Sequence, residues 1–173
     1  MNVHAGRDDL VRPILEPSRL PAFMFHPPPI GHWWTIHIDG TATDANTGVG
    51  AVLVAPDGTR HTVSRATGRR GCSNEAEASA LIAALEAARS LGARSVEVSS
   101  DSSVIVTEAT AGPRTRIEPL ATLCAEARRL LAGFDAAEVR WVPRRKNVEA
   151  DALARAALGL LPKPLPPHPR RKR

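Results

Sequence analysis

The chain has 173 residues, of which 43% are hydrophobic and 24% charged, the composition of an ordinary globular domain long enough to bury its own core. It has no apolar run near the ~18 residues of a membrane helix and no signal-peptide pattern, so we expect a cytoplasmic protein without a membrane span. The two cysteines, Cys72 and Cys124, lie far apart and outside any CxxC motif, which argues against a disulfide framework and a zinc site.

The net charge of +5 arises at one end of the chain. The five basic residues within 163–173 account for the whole excess over the 18 acidic residues, so residues 1–162 are formally neutral. Nucleic-acid binding by the body must therefore depend on local basic clusters, for which a solvated charged face is the alternative. The two densest clusters are Arg140, Arg144, Arg145 and Lys146, and Arg65, Arg69 and Arg70.

Composition divides the chain into three regions. Residues 1–32 lack a hydrophobic period and contain a His-Pro-Pro-Pro run, so we expect a poorly ordered extension. Residues 33–159 form the predicted domain. Residues 160–173 are rich in proline and basic residues, which predicts an extended tail that contacts nucleic acid nonspecifically.

Within the domain, alternating apolar residues indicate strands and a 3.6-residue period indicates helices. A cap at Ser73 or Asn74 and stops at Gly92 and Gly112 set the helix limits. The order β-β-β-α-β-α-α-β-α predicts an α/β fold with a five-stranded mixed sheet flanked by helices. In chain order the elements are strands 34–39, 50–55 and 59–65, helix 75–91, strand 95–99, a short helix from 102, helix 117–131, strand 138–142, a basic loop 143–146 and helix 148–158.

Two aspartates follow predicted strands. Asp39 ends an apolar strand before Gly40, and Asp101 follows the strand 95–99. The carboxyl ends of strands are where α/β sheets tend to place functional groups. For Asp101, a simple helix N-cap is the alternative.

Two further acids lie in the first turns of predicted helices. Glu77 shares a stripe with Leu81 and the alanines that face the sheet, so it points toward the core, whereas Glu75 falls on the opposite, solvated stripe. Asp151 begins the last helix, where an ordinary ion pair with Arg155 at i+4 is the alternative.

We expect a mixed sheet to bring these four acids to one edge. Clustered carboxylates repel one another, and hard divalent cations with oxygen preference, such as Mg²⁺, relieve that repulsion. Two ions ~3.5 to 4 Å apart activate water and stabilise the leaving oxygen of a phosphodiester. This chemistry predicts a metal-dependent nuclease.

Residues 34–159 resemble ribonuclease H of type 1, especially its reverse-transcriptase-like branch. The matching segments occur in the family's order and contain all four acids. They are IHIDGT (36–41), SNEAEASAL (73–81), SDS (100–102), WVPR (141–144) and NVEADALA (147–154).

The resemblance implies a ribonuclease H-like fold and an endonuclease that hydrolyses the RNA strand of RNA/DNA hybrids to 3′-hydroxyl and 5′-phosphate ends. It also implies a monomer with two Mg²⁺ ions, or Mn²⁺ in their place. By analogy the metal ligands are Asp39, Glu77, Asp101 and Asp151. The analogous nucleic-acid-binding residues are Asn74, Asn46, Ser73, Arg144, Arg145, Lys146 and Asn147.

The chain departs from the family at several places. The Gly-Asn-Pro-Gly turn is replaced by residues 44–48, Ser73 stands for one of two paired asparagines, the loop 143–146 has no histidine, and the basic helical handle is missing. Two other classes of protein remain open: a noncatalytic module that binds hybrid or double-stranded RNA, and a related DNA-directed nuclease of the transposase or resolvase type. A purely protein-binding role leaves the four acids unexplained.

Overall fold

The computed structural model describes residues 32–164, and the predictions for residues 1–31 and 165–173 lie outside the described residues. No helix within 32–164 is both long and apolar enough to cross a membrane. The elements follow the predicted order. They are β1 (Trp33–Ala42), β2 (Thr47–Val54), β3 (Arg60–Ala66), α1 (Ser73–Ser90), β4 (Ser95–Ser100), α2 (Ser103–Thr110), α3 (Leu120–Leu131), β5 (Ala136–Trp141), a 3₁₀ turn (Arg144–Lys146) and α4 (Val148–Ala156).

The five strands form one mixed sheet in the order β3-β2-β1-β4-β5. The hairpin strands β1, β2 and β3 pair antiparallel, whereas β4 pairs parallel with both β1 and β5. This confirms the predicted α/β fold with a five-stranded mixed sheet. Because β1 and β4 run parallel in the middle, their carboxyl ends meet at one edge.

Helices cover both faces of the sheet. On one face α1 packs on β1 and β2 with α3 beside it, and on the other face α4 crosses β1, β2 and β3. Gly50 permits the close approach of α4, since a Cβ there would overlap the backbone of Ala150 and Ala154. The largest fully buried apolar side chains are Ile36, Ile38, Leu53, Leu81, Leu85, Ile105, Val49, Val96 and Val98.

The structure corrects two predicted helix starts. The N-cap position of α1 is Cys72, with no side-chain capping bond, so the predicted cap at Ser73 or Asn74 was wrong. The helix expected from residue 117 begins at Leu120, after Pro119, and the Glu118 carboxylate accepts the Thr122 N–H at 3.3 Å. A local side-chain acceptor thus pairs with an N–H of the first turn of α3.

Candidate active site

Two carboxylates meet at the edge of the sheet where β1 and β4 end. His37 of β1 pairs with Ser99 of β4, so Asp39 and Asp101, each two residues further on, lie side by side. Asp39 is buried and Asp101 half-buried. The Oγ of Ser102 accepts a backbone N–H from the first turn of α2. Ser102 is therefore the N-cap, and the Asp101 carboxylate does not serve that purpose.

Glu77 joins these two aspartates because α1 begins against the end of β1. The missing Cβ of Gly40 permits the contact, since a Cβ would overlap the backbone of Ala76 and Glu77. One carboxylate oxygen each of Asp39, Glu77 and Asp101 lies within 4.8 Å of the other two. We call these three residues the carboxylate cluster.

Glu75, two residues before Glu77, lies outside the carboxylate cluster. Its Oε1 accepts the thiol of Cys72 at 3.4 Å. Glu75 and Glu77 of α1 therefore differ in their surroundings, although only two positions separate them.

Asp151, the fourth predicted acid, is buried in the first turn of α4 but is not one of the cluster's three members. Its Oδ1 accepts Lys163 Nζ at 2.9 Å and Arg144 Nη2 at 3.3 Å. Burial alone would raise the pKa of Asp151, but the hydrogen bonds and charges of these two cations outweigh it and lower the pKa. Arg155 instead donates to the carbonyl of Leu161 at 2.6 Å, so the alternative i,i+4 pair does not form.

Burial and repulsion raise two pKa values within the carboxylate cluster. Burial, followed by the charges of Asp101 and Asp151, raises the pKa of Asp39 from 3.8 to about 7. Burial, followed by the charges of Asp39 and Asp101, raises the pKa of Glu77 from 4.5 to about 9. Without a further cation, the cluster therefore does not hold three negative charges at neutral pH.

The carboxylate cluster fits a hard divalent cation. The Oε2 of Glu77 is buried and has no hydrogen-bond partner among residues 32–164. A buried polar oxygen without a partner is costly, and a metal ion is one group that satisfies it. All three side chains offer carboxylate oxygens, the donors that Mg²⁺ and Ca²⁺ prefer.

Asn147 lies behind the carboxylate cluster, in the interior. Its side chain is fully buried, and its Nδ2 donates to the Ile38 carbonyl at 2.8 Å and to Asp101 Oδ1 at 3.1 Å. Both hydrogens of the amide are thus engaged by β1 and by a member of the cluster. This placement corrects the expectation that Asn147 contacts nucleic acid, because its buried amide orients Asp101.

The other predicted nucleic-acid-binding residues lie near the surface. Ser73 is exposed and Asn74 half-buried in the first turn of α1, shortly before Glu77. Asn46 lies in the β1–β2 turn, where its Oδ1 accepts the Thr47 N–H. The three basic residues of the 3₁₀ turn, Arg144, Arg145 and Lys146, are exposed.

Trp141, at the end of β5, was not singled out by the sequence as a surface residue. Its side chain is 55% exposed, and its Nε1 donates to the backbone carbonyl of Asp101 at 3.1 Å. An exposed tryptophan beside the carboxylate cluster offers an apolar face to a bound molecule. Its position at the end of a strand of mixed polarity gave no sign of which face it would occupy.

Known proteins are similar to this chain in sequence and fold. A family described as reverse transcriptase-like matches residues 37–157. Ribonuclease HI of Halobacterium salinarum is 42% identical over 110 residues, which cover 64% of this chain and 55% of that protein. The chain thus spans about half the length of this curated relative.

Solved structures agree with the sequence comparison. The crystal structure of RNase H1 from Halobacterium salinarum superposes with a TM-score of 0.69 at 37% identity, covering 73% of this chain and 98% of that one. LC11-RNase H1, isolated from compost and solved in complex with an RNA/DNA hybrid, gives a TM-score of 0.65 at 28% identity, covering 73% and 96%. The fold is that of the ribonuclease H enzymes. The chain belongs to the ribonuclease H family, in its reverse-transcriptase-like branch.

Proposed function

We propose that the protein is a divalent-metal-dependent endoribonuclease that hydrolyses the RNA strand of RNA/DNA hybrids and leaves 3′-hydroxyl and 5′-phosphate ends. The observation that supports this function best is the carboxylate cluster at the ends of β1 and β4, with Asp151 beside it. Asp39, Glu77 and Asp101 would hold the metal, and Asp151 would complete the ligand set for a second ion.

The metals proposed for this site are Mg²⁺ or Mn²⁺, two ions per site. When bound, such ions activate a water molecule and stabilise the leaving oxygen of the phosphodiester. The protein supplies the negative charge that retains them. The raised pKa values of Asp39 and Glu77 indicate how strongly the cluster resists holding that charge alone.

Substrate binding is assigned to the surface around the carboxylate cluster. Ser73 and Asn74 lie in the first turn of α1, a few residues before Glu77, so their polar groups lie at the same end of the helix as a proposed metal ligand. In a hybrid, 2′-hydroxyls in the minor groove distinguish the RNA strand from DNA. We assign Asn74 to that contact, with Ser73 and Asn46 as secondary contacts.

Basic residues supply the sequence-independent part of the binding. Arg145 and Lys146 are exposed on the 3₁₀ turn that precedes α4, and phosphate contacts by such residues weaken as salt rises. The basic residues in 165–173 would add to this attraction. Two further expectations stay predictions: that the protein is a monomer and that it is cytoplasmic.

The direct test compares labelled RNA/DNA, double-stranded RNA and double-stranded DNA of one sequence, each incubated with Mg²⁺, Mn²⁺ or EDTA. We expect metal-dependent loss of the RNA strand of the hybrid alone, with a 5′-phosphate on the downstream product. Asp101→Asn should abolish this cleavage. Glu75→Gln is the matched control, since it neutralises an acid two positions before Glu77 on α1 but outside the carboxylate cluster.

Other outcomes of this test identify the alternatives. Hybrid binding without cleavage of any duplex would indicate a noncatalytic binding module. Cleavage of double-stranded DNA that depends on Asp101 would indicate a DNA-directed nuclease. Cleavage that persists in EDTA would contradict the proposed metal dependence.

A further inference from the structure

The chain reverses direction after α4 and returns along the helix. Gly159 adopts a positive φ of 69°, a conformation that favours glycine, and ends the last turn. The Leu160 N–H then donates to the Arg155 carbonyl at 3.0 Å, and Arg155 Nε donates to the Leu161 carbonyl at 2.6 Å. These two bonds hold residues 160–161 against α4 and direct Lys163 toward the start of the helix.

Lys163 reaches the carboxylate edge of the sheet. Its Nζ donates to Asp151 Oδ1 at 2.9 Å, the same oxygen that Arg144 contacts at 3.3 Å. The Lys163 side chain is 41% exposed, whereas that of Asp151 is 9% exposed. The ammonium thus extends from solvent onto a carboxylate that is almost inaccessible. Its charge also acts on Asp39 of the carboxylate cluster.

We propose that Lys163 is a further residue of the active site, a tethered cation that occupies Asp151 in the metal-free protein and leaves it when a divalent ion binds. This inference rests on the proposed function, in which Asp151 is a metal ligand. Segment 160–164 would then change its contacts when the metal binds, while the carboxylate cluster stays in place.

Lys163 is expected to leave because it and the metal ion compete for the same oxygen, Asp151 Oδ1. Mg²⁺ binds carboxylate oxygens at ~2.0–2.1 Å. An ammonium at 2.9 Å from the same oxygen would lie within a few ångströms of the ion. Two cations so close repel each other, and salt screens partly buried pairs poorly. Lys163 has a flexible stem and solvent beside it, so it can move away, whereas the ion depends on the fixed carboxylates.

Lysine acylation read by mass spectrometry tests the displacement without measuring activity. The chain has three lysines, Lys146, Lys163 and Lys172, so two of them serve as controls within each molecule. In EDTA, Lys163 should react slowly because its amine is paired with Asp151. Saturating Mg²⁺ should raise its acylation rate severalfold, while Lys146, exposed on the 3₁₀ turn, should change little.

Asp151→Asn provides the matched variant. Without the carboxylate, Lys163 should react rapidly in EDTA and gain nothing from Mg²⁺. If Lys163 of the unmodified protein reacts at the same rate with and without bound Mg²⁺, the displacement does not occur and the inference is wrong.

Metal affinity gives a second readout. In calorimetric titration without nucleic acid, Lys163→Met should bind Mg²⁺ ~2- to 5-fold more tightly, the range expected from breaking an ion pair whose lysine is exposed to solvent. Lys146→Met removes the same charge from a position without that contact and should change the affinity less. Equal affinities in Lys163→Met and in the unmodified protein would overturn the inference.

The titration also separates this inference from the proposed function. Mg²⁺ binding that is lost in Asp101→Asn but unchanged in Lys163→Met would leave the metal site intact and remove only the role of Lys163. Absence of Mg²⁺ binding by the unmodified protein would contradict both.

Discussion

The acidic edge of the sheet contains two parts that neutralise their charge in opposite ways. In the carboxylate cluster, Asp39, Glu77 and Asp101 repel one another, and the pKa values of the first two are raised. At Asp151, beside the carboxylate cluster, two cations of the protein lower the pKa. The comparison indicates that the cluster is fully charged at neutral pH only with a cation from solution, whereas Asp151 already has cations supplied by the chain.

The largest effect is expected for a change within the carboxylate cluster. Asp101→Asn keeps the size of the side chain but removes a charge that a metal requires. We expect RNA cleavage to slow by at least ~10³-fold, a barrier increase of ~4 kcal/mol. Single-turnover cleavage of the hybrid measures this, with thermal unfolding as the check that the fold is kept. A variant with more than a tenth of the original rate would contradict the assignment.

A smaller effect on RNA cleavage is expected for a change at Asp151. Asp151→Asn removes a carboxylate that lies outside the cluster and is already paired with Arg144 and Lys163. We expect a loss of ~10- to 100-fold in the single-turnover rate. Equal losses for Asp151→Asn and Asp101→Asn would show that the two parts do not differ in the way proposed.

Asn147 connects the carboxylate cluster to β1, and Asn147→Ala removes both of its hydrogen bonds. We expect kcat to fall ~10-fold and the free energy of unfolding to fall by ~1–3 kcal/mol, the cost of losing buried hydrogen-bond partners. KM for the hybrid should change little, because the side chain is buried. A raised KM with unchanged kcat would favour a nucleic-acid contact instead.

The raised pKa values in the carboxylate cluster determine the sign of its contribution to the pH dependence of stability. A carboxyl group with a raised pKa in the folded state stabilises the fold at low pH and loses that contribution as pH rises through the folded value. In EDTA, Asp39 and Glu77 should therefore make Tm fall by several degrees between about pH 4.5 and about pH 9.

Two controls accompany this measurement. Saturating Mg²⁺ should restore Tm at the upper end of the range, since the ion favours the charged carboxylates. Glu77→Gln, which stays neutral throughout, should reduce the fall in Tm. A Tm that rises over the same range in EDTA would contradict the raised pKa values.

Most of the fold was predictable from local pattern. The hydrophobic period and the glycine or proline breaks predict the β1–β2–β3 hairpins and the long helix α1. The α/β class follows from the order of the elements. The start of α3 at Leu120 was missed because the apolar period extends back to Ile117, whereas in the structure Pro119 occupies the N-cap position.

The site was less completely predictable than the fold. Periodicity distinguishes Glu77 from Glu75, since the face of a helix follows from its sequence alone. The burial of Asn147 depends on how α4 meets β1, and the contact of Lys163 with Asp151 depends on a chain reversal after Gly159. Neither contact leaves a local periodic signal.

The most direct test of the central claim is an anomalous diffraction measurement on crystals soaked in Mn²⁺. Manganese scatters anomalously, and Mn²⁺ is coordinated by carboxylate oxygens as Mg²⁺ is. We expect an anomalous peak between the carboxylates of Asp39, Glu77 and Asp101, and its loss in crystals of Asp101→Asn. Absence of an anomalous peak at the carboxylate cluster at saturating Mn²⁺ would contradict the account.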